Sequence, residues 1–142
     1  MATQKVHVEQ DFALPPERIY AYLSEHENLS VLFGIRVERI RDGDGSRNGA
    51  GSARKLSFAG MLPFEETVTN AVPNELIEYR ITKGGPLRDH RGKMEFTPTA
   101  NGGTHLVYEI TFTAAVPGLA PVVKMGLTRS ITKGLKKVDA AA

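Results

Sequence analysis

The chain has no cysteine and no tryptophan, and none of its apolar runs approaches the roughly 20 residues that a membrane-crossing helix needs. Without cysteine there is no disulfide framework, no thiolate nucleophile and no cysteine-ligated metal. Charge of one sign is scarce too: 18 Lys and Arg against 16 Asp and Glu leave a formal net charge of +2, too little to point to nucleic acid. Basic strand faces interleaved with exposed aromatics, the usual platform for single-stranded nucleic acid, are also missing. No Gly-x-Ser-x-Gly occurs, and no serine has a histidine and an acid placed around it as a nucleophile would need. The glycines at 43, 45, 49 and 51 alternate with Asp42 and Asp44 and precede a strand, which is wrong for a phosphate loop. The opening residues Met1 to Val6 lack the apolar core of a signal peptide, so the expected compartment is the cytoplasm.

What remains is a chain of 142 residues, 41% hydrophobic and 24% charged, enough for one domain over residues 1–142 with a real core. Its most informative stretch is the last third. After Pro117-Gly118 an amphipathic helix is expected to run from Leu119 to the end. Val123, Leu127, Ile131 and Leu135 recur every fourth residue, and Ala120, Gly134 and Val138 share their side. Gly126, Ser130 and Gly134 also fall four apart at the edge of that face. An interior glycine costs roughly 1 kcal/mol relative to alanine. Two of them imply either a close neighbour or a space beneath the helix. The basic residues Lys124, Arg129, Lys133, Lys136 and Lys137 meet no acid before Asp139. They read either as complements to the helix dipole or as a surface for peripheral contact with anionic lipid.

Upstream, alternation predicts strands at Val6–Phe12, Ile35–Arg41, Gly51–Ala59, Phe64–Ala71, Leu76–Thr82, Arg88–Thr97 and Thr104–Thr113. Pro15-Pro16-Glu17 opens a helix after the first strand, and Leu29, Leu32 and Phe33 mark a second short one ending at Gly34. Short turns imply an antiparallel meander, and the loop around Asp42–Ser46 is read as a mobile lid over a pocket mouth. The fold class is therefore α+β: a seven-stranded curved antiparallel sheet wrapped around a long C-terminal helix, with two short helices after the first strand.

Alternation also assigns an inward face. It carries Arg54, Leu56 and Phe58; then Glu66 and Val68; then Tyr79 and Ile81; then His90, Met94 and Phe96; then Tyr108 and Ile110. Leu127 and Ile131 of the closing helix face them. A greasy wall with a few oriented polar groups is what a small-molecule pocket needs. Arg54 and Glu66, on neighbouring strands, should pair if both are buried. His90, Arg54, Tyr79 and Tyr108 are the candidates for catalysis, with His90 the one that titrates near neutrality. Against that, His90 flanked by Arg88, Asp89 and Arg91 also reads as a wet residue at the pocket mouth. His7 and His105 lie on outer faces and His26 in a polar helix end. No metal site and no cofactor is expected.

Three stretches carry a family resemblance: Phe12-Ala13-Leu14-Pro15-Pro16-Glu17-Arg18-Ile19-Tyr20-Ala21-Tyr22-Leu23; Gly92 to Pro98 followed by Gly103 to Tyr108; and the ending from Leu127 to Lys137. Together they resemble the helix-grip superfamily of START lipid-transfer domains, pollen-allergen-like proteins and bacterial polyketide cyclase/dehydrase-like proteins. That resemblance implies a cavity between sheet and helix that holds a hydrophobic small molecule or lipid, for carriage or sensing. A cyclase or dehydratase acting in the same cavity is the alternative it implies, and a protein-interaction module is a third reading.

Overall fold

A computed structural model describes residues 3–57 and 63–142. Seven strands form one antiparallel sheet: β1 (Gln4–Phe12), β2 (Arg36–Arg41), β3 (Ala53–Ser57), β4 (Phe64–Val72), β5 (Leu76–Lys83), β6 (Leu87–Pro98) and β7 (Thr104–Ala114). Their order is β1-β7-β6-β5-β4-β3-β2, so β2 to β7 form a meander and β1 pairs beside β7. Two short helices, α1 (Pro16–Ser24) and α2 (Leu29–Phe33), separated by a 3-10 turn at His26–Asn28, link β1 to β2. The chain ends with α3 (Leu119–Leu135) and α4 (Val138–Ala141). The fold is the curved α+β sheet and closing helix that the sequence predicts.

Period-2 patterning decides which face is which. On β7, Leu106, Tyr108, Ile110 and Phe112 are all buried, while His105, Val107, Glu109 and Thr111 stay half-exposed. Register then aligns the inward residues of neighbouring strands: Arg54 with Glu66, Val68 with Tyr79, Tyr79 with Gly92, Gly92 with Ile110, and Met94 with Tyr108. Each fully buried Leu, Ile or Val contributes roughly 1.5–3 kcal/mol. The buried face of α3 (Ala120, Ile131 and Leu135) completes this core. Against the other end of the sheet, Tyr20 of α1 meets Phe96 edge to face, with ring centroids 5.3 Å apart.

Two expectations are corrected here. The terminal helix is not continuous: an N–H to C=O bond from Lys137 to Gly134 (3.1 Å) tightens the last turn of α3, and α4 follows as a separate turn. Asp139 of α4 accepts the N–H groups of Ala13 and Leu14 at 2.9–3.1 Å and ties the tail to the start of α1. The loop over residues 42–51 is no lid. Arg39 bonds Glu25, Glu27 and Asn48 at 3.0, 3.1 and 2.6 Å, and Arg47 bonds Glu25 at 2.8 Å. These contacts pin the loop against the end of α1 and the 3-10 turn, and no residue of it lines the cavity described below. Burial pushes the Glu25 carboxyl up, but hydrogen bonds from Asn48 and Arg47 and the charge of Arg39 outweigh it and bring its pKa to about 2.

Candidate functional site: a cavity under the closing helix

Between α3 and the middle of the sheet lies a cavity of about 330 Å³. Its sheet side is built by Leu56, Phe64, Glu66, Tyr79, Ile81, Leu87, His90 and Ile110, and Phe33, Ile35 and Pro86 line it further. The helix side is Leu119, Val122, Val123, Gly126, Leu127 and Ser130. The glycines of α3 answer the question their spacing raises, and they answer it differently. A Cβ at Gly126 would meet nothing within 4 Å, so this glycine faces open space. A Cβ at Gly134 would come within 2.7 Å of the Leu32 Cα and 2.9 Å of the Val31 carbonyl, so there the helix backbone packs directly on α2.

A bulge on β6 sets the sheet-side wall. Arg88 pairs with Thr113 and Arg91 with Thr111, which leaves one extra residue on β6. Asp89 absorbs it with φ 51°, a left-handed conformation that costs a non-glycine residue. The extra residue resets the alternation: Leu87 and His90 both turn to the cavity, and Arg88, Asp89 and Arg91 stay exposed. His90 is thus not the wet residue at the mouth that its charged neighbours suggested; it is 7% exposed.

The polar groups form one connected set. Arg54 Nε donates to Glu66 Oε1 at 2.8 Å, and Arg54 Nη1 donates to His26 Nδ1 at 3.2 Å. Arg54 Nη2 also stands 2.8 Å from Oε1, an ion-pair contact off the hydrogen-bonding direction. The guanidinium lies 4.6 Å from the centroid of the Tyr79 ring, a cation–π contact. Because His26 Nδ1 accepts, its Nε2 carries the proton and donates to Ser52 Oγ at 2.9 Å, which in turn donates to the Gly49 carbonyl at 2.7 Å. His26 is fully buried, a correction to its placement in a polar helix end. Burial, then the positive charge of Arg54 and Arg39, pushes its pKa down to about 3, so the ring is neutral.

His90 follows the same logic. The Ile81 backbone N–H donates to its Nδ1 at 3.0 Å, so the ring is neutral with its proton on Nε2. Burial holds its pKa below the ordinary histidine value, with Glu66 opposing and Arg54 adding. Nε2 points toward Glu66 Oε2 across 3.6 Å. The hydroxyls of Tyr79 and Tyr108 hydrogen-bond each other, and burial raises both well above the usual phenol range, so both stay protonated.

The family described as polyketide cyclase / dehydrase and lipid transport matches residues 3–142. The chain belongs to this family. Among curated proteins none matches it. Solved structures with the same fold include a protein of Thermus thermophilus, 18% identical, covering 96% of this chain and 95% of that one with a TM-score of 0.74. A truncated norcoclaurine synthase from Thalictrum flavum is 16% identical over 96% of this chain and 93% of its own, with a TM-score of 0.73. The same plant enzyme in complex with dopamine and hydroxybenzaldehyde gives 15% identity, 99% and 86% coverage and a TM-score of 0.71. At such identities the likeness is one of fold.

Within this family member, the structure sorts the sequence-predicted residues into two groups. Leu56, Glu66, Tyr79, Ile81, His90, Ile110 and Leu127 line the cavity. Arg54, Val68, Met94, Phe96, Tyr108 and Ile131 are buried but do not line it; they pack behind or beside the wall. Phe58 lies outside the described residues. Sequence reasoning missed His26 and Ser52, which hold Arg54 from behind, and Phe33, Ile35, Leu87 and Leu119 as wall residues. The apolar types of the last four were a signal, but their direction depends on loops and on the β6 bulge. No signal in the sequence joins His26 to Arg54.

Proposed function

We propose that this protein binds a hydrophobic small molecule in the cavity between the sheet and α3, for carriage or sensing. One observation carries the reading: an apolar cavity of about 330 Å³ lies between the sheet and α3, and the exposed Gly126, with no neighbour in front of it, stands on its rim. The family's description, which couples polyketide cyclase and dehydrase activity to lipid transport, supports a hydrophobic ligand. A cyclase-type reaction at His90 would need a lone pair facing the substrate. Here that lone pair sits on the Ile81 N–H, and the ring offers the cavity a donor. His90 is therefore placed to hold a ligand as a donor rather than to abstract its proton.

The route to the cavity runs past the start of α3. Val122 lines the cavity and is 65% exposed, Met125 is 56% exposed, and Arg129 falls on the same side of α3, four residues after Met125 and seven after Val122. An apolar lip beside a cation suits contact with an anionic lipid surface during ligand passage. Among the described residues no helix is long and apolar enough to cross a membrane. The test is native mass spectrometry of the purified protein, followed by organic extraction. A co-purifying apolar molecule, released with unfolding, supports the reading. A protein that carries none and also takes up no apolar probe contradicts it.

A further inference from the structure

On the sheet side of the largely apolar cavity, Glu66 and His90 each present a polar atom that makes no hydrogen bond to a described residue. Glu66 is 4% exposed and His90 is 7% exposed, and both side chains line the cavity. Arg54 occupies Glu66 Oε1, while Oε2 makes no hydrogen bond to a described residue. Ile81 N–H occupies His90 Nδ1, which leaves the Nε2–H unpaired. The two free atoms are 3.6 Å apart, beyond the ~2.7–3.2 Å of a hydrogen bond between them.

We propose that the gap between Glu66 Oε2 and His90 Nε2 recognises a hydroxyl group on an uncharged, otherwise apolar ligand, a phenol or an alcohol. The proposal rests on the cavity binding argued above and names what the cavity takes. A hydroxyl both donates and accepts: its proton goes to Oε2 and its oxygen receives the Nε2–H. A single oxygen can bridge two atoms 3.6 Å apart at ordinary hydrogen-bond distance from each. A carbonyl would take the imidazole proton but leave the carboxylate oxygen bare, and a buried polar group without a partner is costly. A ligand carboxylate would stand against Glu66. A ligand ammonium would satisfy Oε2 but would face the His90 N–H and the Arg54 guanidinium, whose charge already balances the carboxylate. Arg54, Glu66 and neutral His90 sum to zero charge, which matches a neutral ligand. A volume of about 330 Å³ lies at the lower end of the ~300–1,000 Å³ usual for ligand pockets, so one or two rings or a single short chain fits.

Two isosteric probes test this: 2-naphthol and 2-methylnaphthalene, titrated separately into the native protein by calorimetry. A hydrogen bond to a charged group predicts that 2-naphthol binds about tenfold tighter or more. His90→Asn keeps an acceptor for the Ile81 N–H and removes the Nε2 donor. It should shrink that preference, read as the ratio of the two affinities in the same variant, to about twofold or less. Equal binding of the two probes by the native protein overturns the hydroxyl proposal and leaves the cavity reading standing. Tighter binding of 2-naphthoate or of 2-naphthylmethylammonium than of 2-naphthol overturns it likewise. If no naphthalene binds at all, both the proposal and the cavity reading fail. Should His90→Asn not fold, the comparison of probes on the native protein still decides.

Discussion

The ring of Tyr79 lies flat over Gly92, its register partner on β6, so closely that a Cβ at Gly92 would sit inside the ring's van der Waals surface. This contact lets Tyr79 stand between Arg54 on one side and Tyr108 on the other while its ring borders the cavity. Gly92→Ala should therefore destabilise the protein by about 1–3 kcal/mol, the scale of overpacking a tight core. Urea unfolding measures it; a neutral result would mean that Tyr79 can move aside at no cost.

The glycines of α3 should respond in opposite directions. Gly126→Ala adds a methyl group into open space and removes a helix-interior glycine, so it should stabilise by about 0.5–1 kcal/mol. Gly134→Ala drives the same methyl group into the backbone of α2 and should destabilise by about 1–3 kcal/mol. Paired thermal melts of the two variants check the signs. The sequence left a close neighbour and a space beneath the helix open for both glycines, and equal effects would mean that the two positions do not differ.

The buried Arg54–Glu66 pair should behave asymmetrically. Removing Glu66 alone strands a guanidinium that is 2% exposed, and Glu66→Leu should cost about 3–5 kcal/mol. The double change Arg54→Met with Glu66→Leu removes both charges, and its cost should fall well below the sum of the single changes. A double-mutant cycle in urea reads the difference. Additive costs would show that the two charges are not coupled.

Stability should fall as the pH drops from about 7 toward 3, with His26 a principal cause. The unfolded chain binds a proton on this ring near 6.5, whereas the folded state resists it down to about 3. Over that window the unfolded state holds more protons, so stability rises with pH, by at most about 1.4 kcal/mol per pH unit for one proton. His90, also held below its ordinary value, acts in the same direction. His7 and His105 on the outer face act oppositely: hydrogen bonds that their rings donate to Glu9, Glu109 and Asp11 raise their pKa values. Their contribution is present below the unfolded value and lost as pH rises through the folded one. Solvent screens those exposed pairs, so the buried ring should dominate. Urea unfolding at pH 7 and 5 should show a clear loss for the native protein and a shallower one for His26→Gln. An unchanged slope would clear His26.

Much of the sheet was legible in the sequence because a strand's side chains alternate with a period of two, and one face is greasy from β1 to β7. Arg54, Glu66, Tyr79 and His90 could be placed on the inner face for that reason alone. What alternation could not say was which inward residues meet the cavity and which are covered. Met94 and Tyr108 are register partners, yet neighbouring side chains cover both of them. The bulge at Asp89 carries no glycine to announce it, and it alone decides that Leu87 rather than Arg88 faces inward. His26 was misplaced because its neighbours in sequence are polar, while its partners Ser52 and Arg54 lie 26 and 28 residues away. The loop over residues 42–51 looked mobile by composition; Arg39, outside it, holds it down.

The central claim is that the space between the sheet and α3, with Gly126 on its rim, is a binding cavity. Titration of N-phenyl-1-naphthylamine, an uncharged fluorophore, into the native protein and into Gly126→Leu tests it most directly, with a thermal melt to verify that the variant is folded. The account predicts saturable fluorescence enhancement for the native protein and a loss of affinity of about tenfold or more for Gly126→Leu, whose side chain would occupy the open space at the cavity wall. A folded Gly126→Leu protein that binds the fluorophore as tightly as the native one would contradict it.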